Sequence, residues 1–142
     1  MRAMPTARLW FARIVTLYAL LLFGFLTYLY VVEPTDHIAK FGIEASGAPE
    51  SINFLRAGPG ALFGGMLIAA ALGLMRPAWL VGALAVLVLF TGCVVAVRLY
   101  GMAIDGTTPI QLSELRNEGI SWLFFVGALV LHPRRSGPAA SP

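Results

Sequence analysis

Four apolar stretches, three long enough to cross a bilayer unaided and one not, constrain this chain more than any other feature. A hydrocarbon core about 30 Å thick takes roughly 20 apolar residues of helix. Leu9 to Val32 supplies such a run, with one charge, Arg13, near its start. A second runs from about Leu55 to Met75 and a third from about Ala78 to Tyr100. Arg76-Pro77 between them leaves room only for a tight turn, so these two helices form an antiparallel hairpin. The fourth runs from about Ile110 to Leu131, yet only its second half, from Ile120, is continuously apolar. Its first half carries Glu114, Arg116 and Glu118. Apolar residues make up 58% of the chain and charged residues 12%, against about a quarter charged in soluble domains. The expectation is an all-α integral membrane protein: one antiparallel four-helix transmembrane bundle over residues 1–132, then a short disordered tail over residues 133–142.

The first run is longer than the roughly 7–15 residues of a signal-peptide core, and no A-x-A site follows it, so it reads as a retained anchor. Charge placement then orients the bundle. Arg2, Arg8, Arg13, Arg76, Arg134 and Arg135 fall at one side of the four spans, and all seven acids (Glu33, Asp36, Glu44, Glu50, Asp105, Glu114, Glu118) at the other. Lys and Arg near span ends mark the cytoplasmic side. Both termini are therefore expected in the cytoplasm, with the two longer loops outside. Nine of the ten basic residues are Arg, which suggests a GC-rich bacterial genome and hence a bacterial inner membrane. The loop from Glu33 to Asn53 is polar, with "SGAPES" as turn chemistry. Asp105-Gly106 is a turn dipeptide, and Pro109 can open the last helix, with Ser113 and acids in its first turn.

Span two carries small residues every fourth position, Ala57, Ala61, Gly65, Ala69 and Gly73, with Gly60 and Gly64 beside them. In lipid, where apolar surface gives no net drive to associate, such stripes mark faces along which backbones approach closely. The stripe suits either a neighbouring span of the same chain or a second protein, including a second copy. Gly82, Ala85, Leu89, Gly92 and Ala96 of span three make a looser stripe suited to receive span two. Cys93, the one cysteine, is expected among these buried residues as a small apolar side chain.

Arg56 opens span two, Arg98 lies in the last turn of span three, and Glu114, Arg116 and Glu118 enter span four; all five stand near the outer interface. Glu114 and Glu118, four apart, share a helix face that Trp122 and Phe125 continue inward. Arg116 points about 200° away from Glu114. Even on the permissive scales a charge at mid-bilayer costs roughly 2.5–3.5 kcal/mol. Glu118, with Glu114 in support, is therefore expected to face Arg56 and Arg98 across the outer mouth of the bundle, and Asp105 can join them. Two readings fit this layer: an ion-pair lock between spans two, three and four, or an outward-facing pocket for a small amphiphile or lipid headgroup. Tyr28, Tyr30 and Tyr100 at the same level read as interfacial belt aromatics.

Other chemistry is thin. The basic residues are scattered and the formal charge is only +3, so no nucleic-acid partner is expected. A lone cysteine excludes an internal disulfide or a thiolate metal cluster. His37 and His132 belong to opposite sides, so no shared haem or metal is expected, and no Ser-His-acid set assembles at one depth. Gly58 to Gly65, "GPGALFGG", lacks the third glycine, the strand and the acid of a dinucleotide fingerprint, and any Walker lysine. Adjacent arginines would keep Glu114 and Glu118 ionised, which suits ion pairing better than general acid work. No cofactor is expected, and the chain is not expected to be an enzyme.

On "NFLRAGPGALFGG", "VRLYGMAIDGTTP" and "SELRNEG", the chain resembles a bacterial family of small four-span membrane proteins known as domain of unknown function 4345, over about residues 10 to 132. It is similar, more loosely, to DoxX-like four-helix membrane proteins. The resemblance implies the four-span fold and weight on Arg56, Arg98, Asp105-Gly106 and Glu118; it implies no reaction. The leading expectation is a non-enzymatic membrane protein whose charged outer layer holds a small amphiphile or headgroup. The alternative is an accessory subunit of a larger membrane complex, packing through the span-two stripe or the apolar face of span one. A third reading, a surface factor exploited by phage, rests only on the outer loops.

Overall fold

The computed structural model describes residues 4–44 and 46–132; the tail expected over 133–142 lies outside them. The described residues form helices and no strands: α1 (Met4–Val32), α2 (Pro34–Ala39), α3 (Pro49–Leu55), α4 (Ala61–Met75), α5 (Leu80–Asp105) and α6 (Pro109–Leu131). A π-helical turn, Arg56–Gly60, makes α3 and α4 continuous, and a 3-10 turn, Pro77–Trp79, leads into α5. Three stretches are long and apolar enough to cross a membrane: Thr6–Val32, Pro49–Met75 and Pro77–Asp105.

Proline punctuates the chain. Pro34, Pro49, Pro77 and Pro109 each occupy the first turn of their element, where a missing N–H costs nothing and φ is already set. Gly106, at φ +93°, ends α5, a conformation that glycine reaches without Cβ strain. Thr108 then caps α6: its Oγ accepts from the Gln111 N–H at 3.2 Å, and the Gln111 side-chain oxygen accepts from the Thr108 N–H at 2.8 Å. Ser113 consequently lies beyond the first turn. Pro59 is the exception, inside a helix. It cannot donate to a carbonyl one turn back, and the backbone there widens into the π turn.

The expected polar loop from Glu33 to Asn53 instead holds α2 and the start of the second long helix. Pro34 and Ile38 are buried, so α2 docks on the end of the bundle through its own apolar side.

α1 packs on α4 and α6, α4 on α5, and α5 on α6, so the four long helices form a ring. Its core runs through Ala12, Val15, Ala19, Phe23, Ala70, Leu80, Leu84, Leu87, Phe125 and Ala128. The small-residue stripe of span two is not one face. Ala57, Ala61 and Gly65 are exposed, Ala69 is half-buried and Gly73 is buried. Four residues turn an α-helix by about 400°, so a four-residue stripe creeps about 40° per step and changes sides within its length. The face toward α1 is the neighbouring one: a Cβ on Gly60 would stand 3.0 Å from Val31, and one on Gly64 3.8 Å from Thr27. In α5 the buried face is Leu80, Ala83, Leu84, Leu87 and Thr91. Leu89 is 70% exposed, Gly82 and Ala96 are exposed too, and Gly92 abuts Trp122 of α6 instead of span two. Cys93 is exposed as well, a correction to its expected burial with the same cause.

Candidate functional site

Glu114 and Glu118 lie one turn apart on α6, and Ser121, Phe125 and Ala128 continue that row into the buried core. α5 lies alongside and brings Arg98 opposite Glu118. The two side chains form a two-pronged pair: Nε to Oε2 and Nη2 to Oε1, each 2.5 Å. The fork of the guanidinium matches the carboxylate, the geometry that makes Arg–carboxylate pairs strong and directional. Both side chains are roughly three-quarters buried. Glu114, nearer the surface, pairs with Lys40 just beyond α2, at 3.6 Å.

Arg56 does not join them. Its Nε–H donates to the Val31 carbonyl at 2.9 Å, in the last turn of α1. Helix ends leave carbonyls unpaired and carry partial negative charge, so a cation is well placed there. The π turn that starts at Arg56 adds a residue to the helix, which shifts the phase of the preceding segment by about 100° from an unbroken α-helix. Asp105 is exposed at the end of α5 and stands apart from the pair. The expected layer thus comes together as Arg98–Glu118 and Lys40–Glu114, with Arg56 and Asp105 outside it and Arg116 exposed.

Beneath the pair lies a cavity of about 340 Å³, bounded by α1, α2, α4, α5 and α6. Arg98, Glu118, Glu114, His37 and Phe41 surround its mouth, and Tyr18, Phe23, Phe63, Phe90, Thr91 and Ser121 are among its deeper lining. Phe23 closes the aromatic end: its ring lies 6.1 Å from Phe63, 5.9 Å from Phe90 and 6.4 Å from Phe125. Tyr30 turns inward, 5.4 Å from the Phe63 ring and 4.8 Å from His37. Of the expected belt aromatics, Tyr28 and Tyr100 are the exposed ones. Burial between Tyr30 and Phe41 pushes the His37 imidazole below its ordinary 6.5; Lys40 adds to that and Glu114 opposes it. The fold therefore favours the neutral imidazole.

Several hydroxyls inside the bundle find partners. Thr16 donates to the Ala12 carbonyl at 2.8 Å and Thr27 to Phe23 at 2.6 Å. Ser121 donates to Asn117 at 2.9 Å, and the Tyr18 hydroxyl meets Ser121 Oγ at 2.8 Å. Thr91 Oγ1 is the one buried side-chain polar atom without a partner among the described residues.

Sequence reasoning missed the aromatic walls, Lys40, Thr91 and Ser121. Ser121 was readable, three residues on from Glu118 along the same face. Lys40 was not, because nothing local says that α2 folds back over the bundle. No family model, curated protein or solved structure matches this chain, so the functional reading stands on the site itself.

Proposed function

We propose that this chain is a four-span membrane protein that binds a small amphiphile in the aromatic cavity, with the Arg98–Glu118 pair at its mouth. α6 is the fourth span. Its charged residue of deepest position, Glu118, is engaged by Arg98, and its outward residues Leu112, Ile120, Leu123, Phe124 and Val130 are large and apolar. Both termini face the cytoplasm of a bacterial inner membrane. Two Arg–Trp contacts support that orientation at the opposite end of the bundle, Arg13 over Trp10 at 5.8 Å and Arg76 over Trp79 at 5.2 Å, since such residues anchor span ends at the interface. The resemblance to the four-span family belongs to this same reading.

The observation that carries the proposal is the cavity directly under a layer of paired charges. A volume of about 340 Å³ falls at the small end of the roughly 300–1,000 Å³ typical of ligand pockets. It fits a compact ring or a short chain; a whole phospholipid is too large. Binding suits it better than catalysis, because both carboxylate oxygens of Glu118 are already engaged by Arg98. Native mass spectrometry of protein extracted in mild detergent tests this. A bound small molecule is expected on the wild type and is lost from Arg98→Ala and Glu118→Gln, both still folded. Collapse of both variants without any bound species in the wild type would leave an ion-pair lock and no ligand.

A second reading, an accessory subunit of a larger membrane complex or a homodimer, draws support from the outward position of Ala57, Ala61 and Gly65, where nothing stands within 4 Å of a Cβ built on Gly65. Cysteine cross-linking at Ala61 in a Cys93→Ala background tests it. A cross-linked dimer in native membranes supports self-association there, a heavier adduct a different subunit, and no adduct removes the reading.

A further inference from the structure

Resting on the binding reading above, we infer that the cavity takes an uncharged aromatic molecule whose leading end carries a hydrogen-bond acceptor, received by the Thr91 hydroxyl. Three observations converge on that class.

The first is charge. The lining groups at the mouth cancel: Arg98 is matched by Glu118 and Glu114 by Lys40. An anion would have to prise Arg98 from a two-pronged partner, and a cation would have to do the same to Glu118. A neutral guest leaves both pairs intact.

The second is shape. Thr91 lies seven residues below Arg98 on α5, about 10 Å at 1.5 Å per residue. The walls over that depth include Phe23, Phe63 and Phe90, with Phe63 and Phe90 edge-to-face at 6.1 Å. Such faces favour a flat ring.

The third is the deep end itself. Thr91 is 6% exposed and lines the cavity, and its oxygen has no partner among the described residues. The other buried threonine, Thr16, returns its proton to the carbonyl four residues back. Tyr18 and Ser121 are engaged with each other. Thr91 thus holds the one fully buried side-chain polar atom of the lining without a partner among the described residues, while Tyr30, His37 and Asn117 stand nearer the mouth. An unpaired O–H is worse tolerated in apolar surroundings than an acceptor with a spare lone pair, so the complementary group on the guest is an acceptor such as a ring carbonyl.

The test compares three probes on the full chain in mild detergent by equilibrium dialysis: acetonaphthone, the near-isosteric hydrocarbon ethylnaphthalene, and naphthoate. Acetonaphthone is expected to bind the wild type, to weaken by roughly threefold to tenfold in Thr91→Val, the range of one neutral hydrogen bond, and to recover in Thr91→Ser. Ethylnaphthalene is expected to bind both forms alike, and naphthoate least of the three. Equal acetonaphthone binding by wild type and Thr91→Val, with ethylnaphthalene also bound, would overturn the assignment to Thr91 and leave the cavity reading standing. Tighter binding of naphthoate than of the ketone would overturn the uncharged class. Failure of every probe to bind would remove the cavity reading and this inference together.

Discussion

The two ends of the bundle are built from different residues, and the difference makes the site. Toward Arg76 the helices meet through Ala12, Ala19, Ala70, Gly73, Ala83 and Ala128, all buried. A Cβ on Gly73 would stand 2.7 Å from the Ala83 Cβ, so the backbones there are as close as side chains allow. Toward Lys40 the contacts pass to Phe23, Phe63, Phe90 and Tyr30, whose rings meet at about 5–6 Å. Small residues close the ring of helices at one end, and aromatic ones hold it apart at the other. A cavity between helices follows from side-chain size alone, and charge is then added only at its rim. In a membrane this division is natural, since close packing rather than water exclusion holds helices together.

Breaking the open end should cost most. Arg98→Ala strands Glu118 in a mostly buried position and is expected to lower stability by about 2–4 kcal/mol, read as loss of folded protein during thermal unfolding in detergent. A loss under half a kcal/mol would mean that the carboxylate reaches water unaided. Filling the tight end comes next. Gly73→Val forces branched carbon atoms against Ala83 and Leu80 and is expected to cost about 1–3 kcal/mol, whereas Gly65→Val, facing outward, should stay within about 0.5 kcal/mol of wild type. Equal effects at the two glycines would erase the contrast between packed and outward faces.

Smaller still is Thr91→Val. It removes an unpaired hydroxyl while keeping the shape, so in the ligand-free protein it is expected to be stabilising by up to about 1 kcal/mol. A clear loss of stability would show that the hydroxyl already has a partner. Weakest is the pH effect at the mouth. His37 has a lowered pKa in the fold, so the folded state binds fewer protons than the unfolded one. Stability is full above the ordinary value of 6.5, declines as pH falls through it, and stops declining below the lowered folded value. Lys40, Glu114 and Tyr30 face the same ring. His37→Phe should remove the decline between pH 7 and 5, measured as melting temperature against pH.

How much of this could be read in the sequence follows from the range of the interactions. The long apolar runs gave the helices, and the shared face of Glu114 and Glu118 gave the inward row of α6, because both depend on spacing within one segment. Arg98 opposite Glu118 was legible too, from the expected equal level of the two residues on adjacent helices. Arg56 was not, since a π turn at Pro59 changes the helix phase and an unpaired carbonyl of α1 accepts the guanidinium. The stripe of span two misled for a different reason: a four-residue period does not match 3.6 residues per turn, so its ends look in different directions. The cavity depends on how far apart rings from three helices hold their backbones, and no local pattern encodes that distance.

Cys93 is exposed on α5, two residues from Thr91, about 3 Å along the axis and more than half a turn around it. The chain's lone thiol therefore sits at the same depth as the deep end of the pocket while looking away from it. A nitroxide or fluorophore attached there would report immersion depth in the bilayer without obstructing a guest. The level at which the guest's leading end comes to rest becomes directly measurable in a vesicle, with no new cysteine engineered.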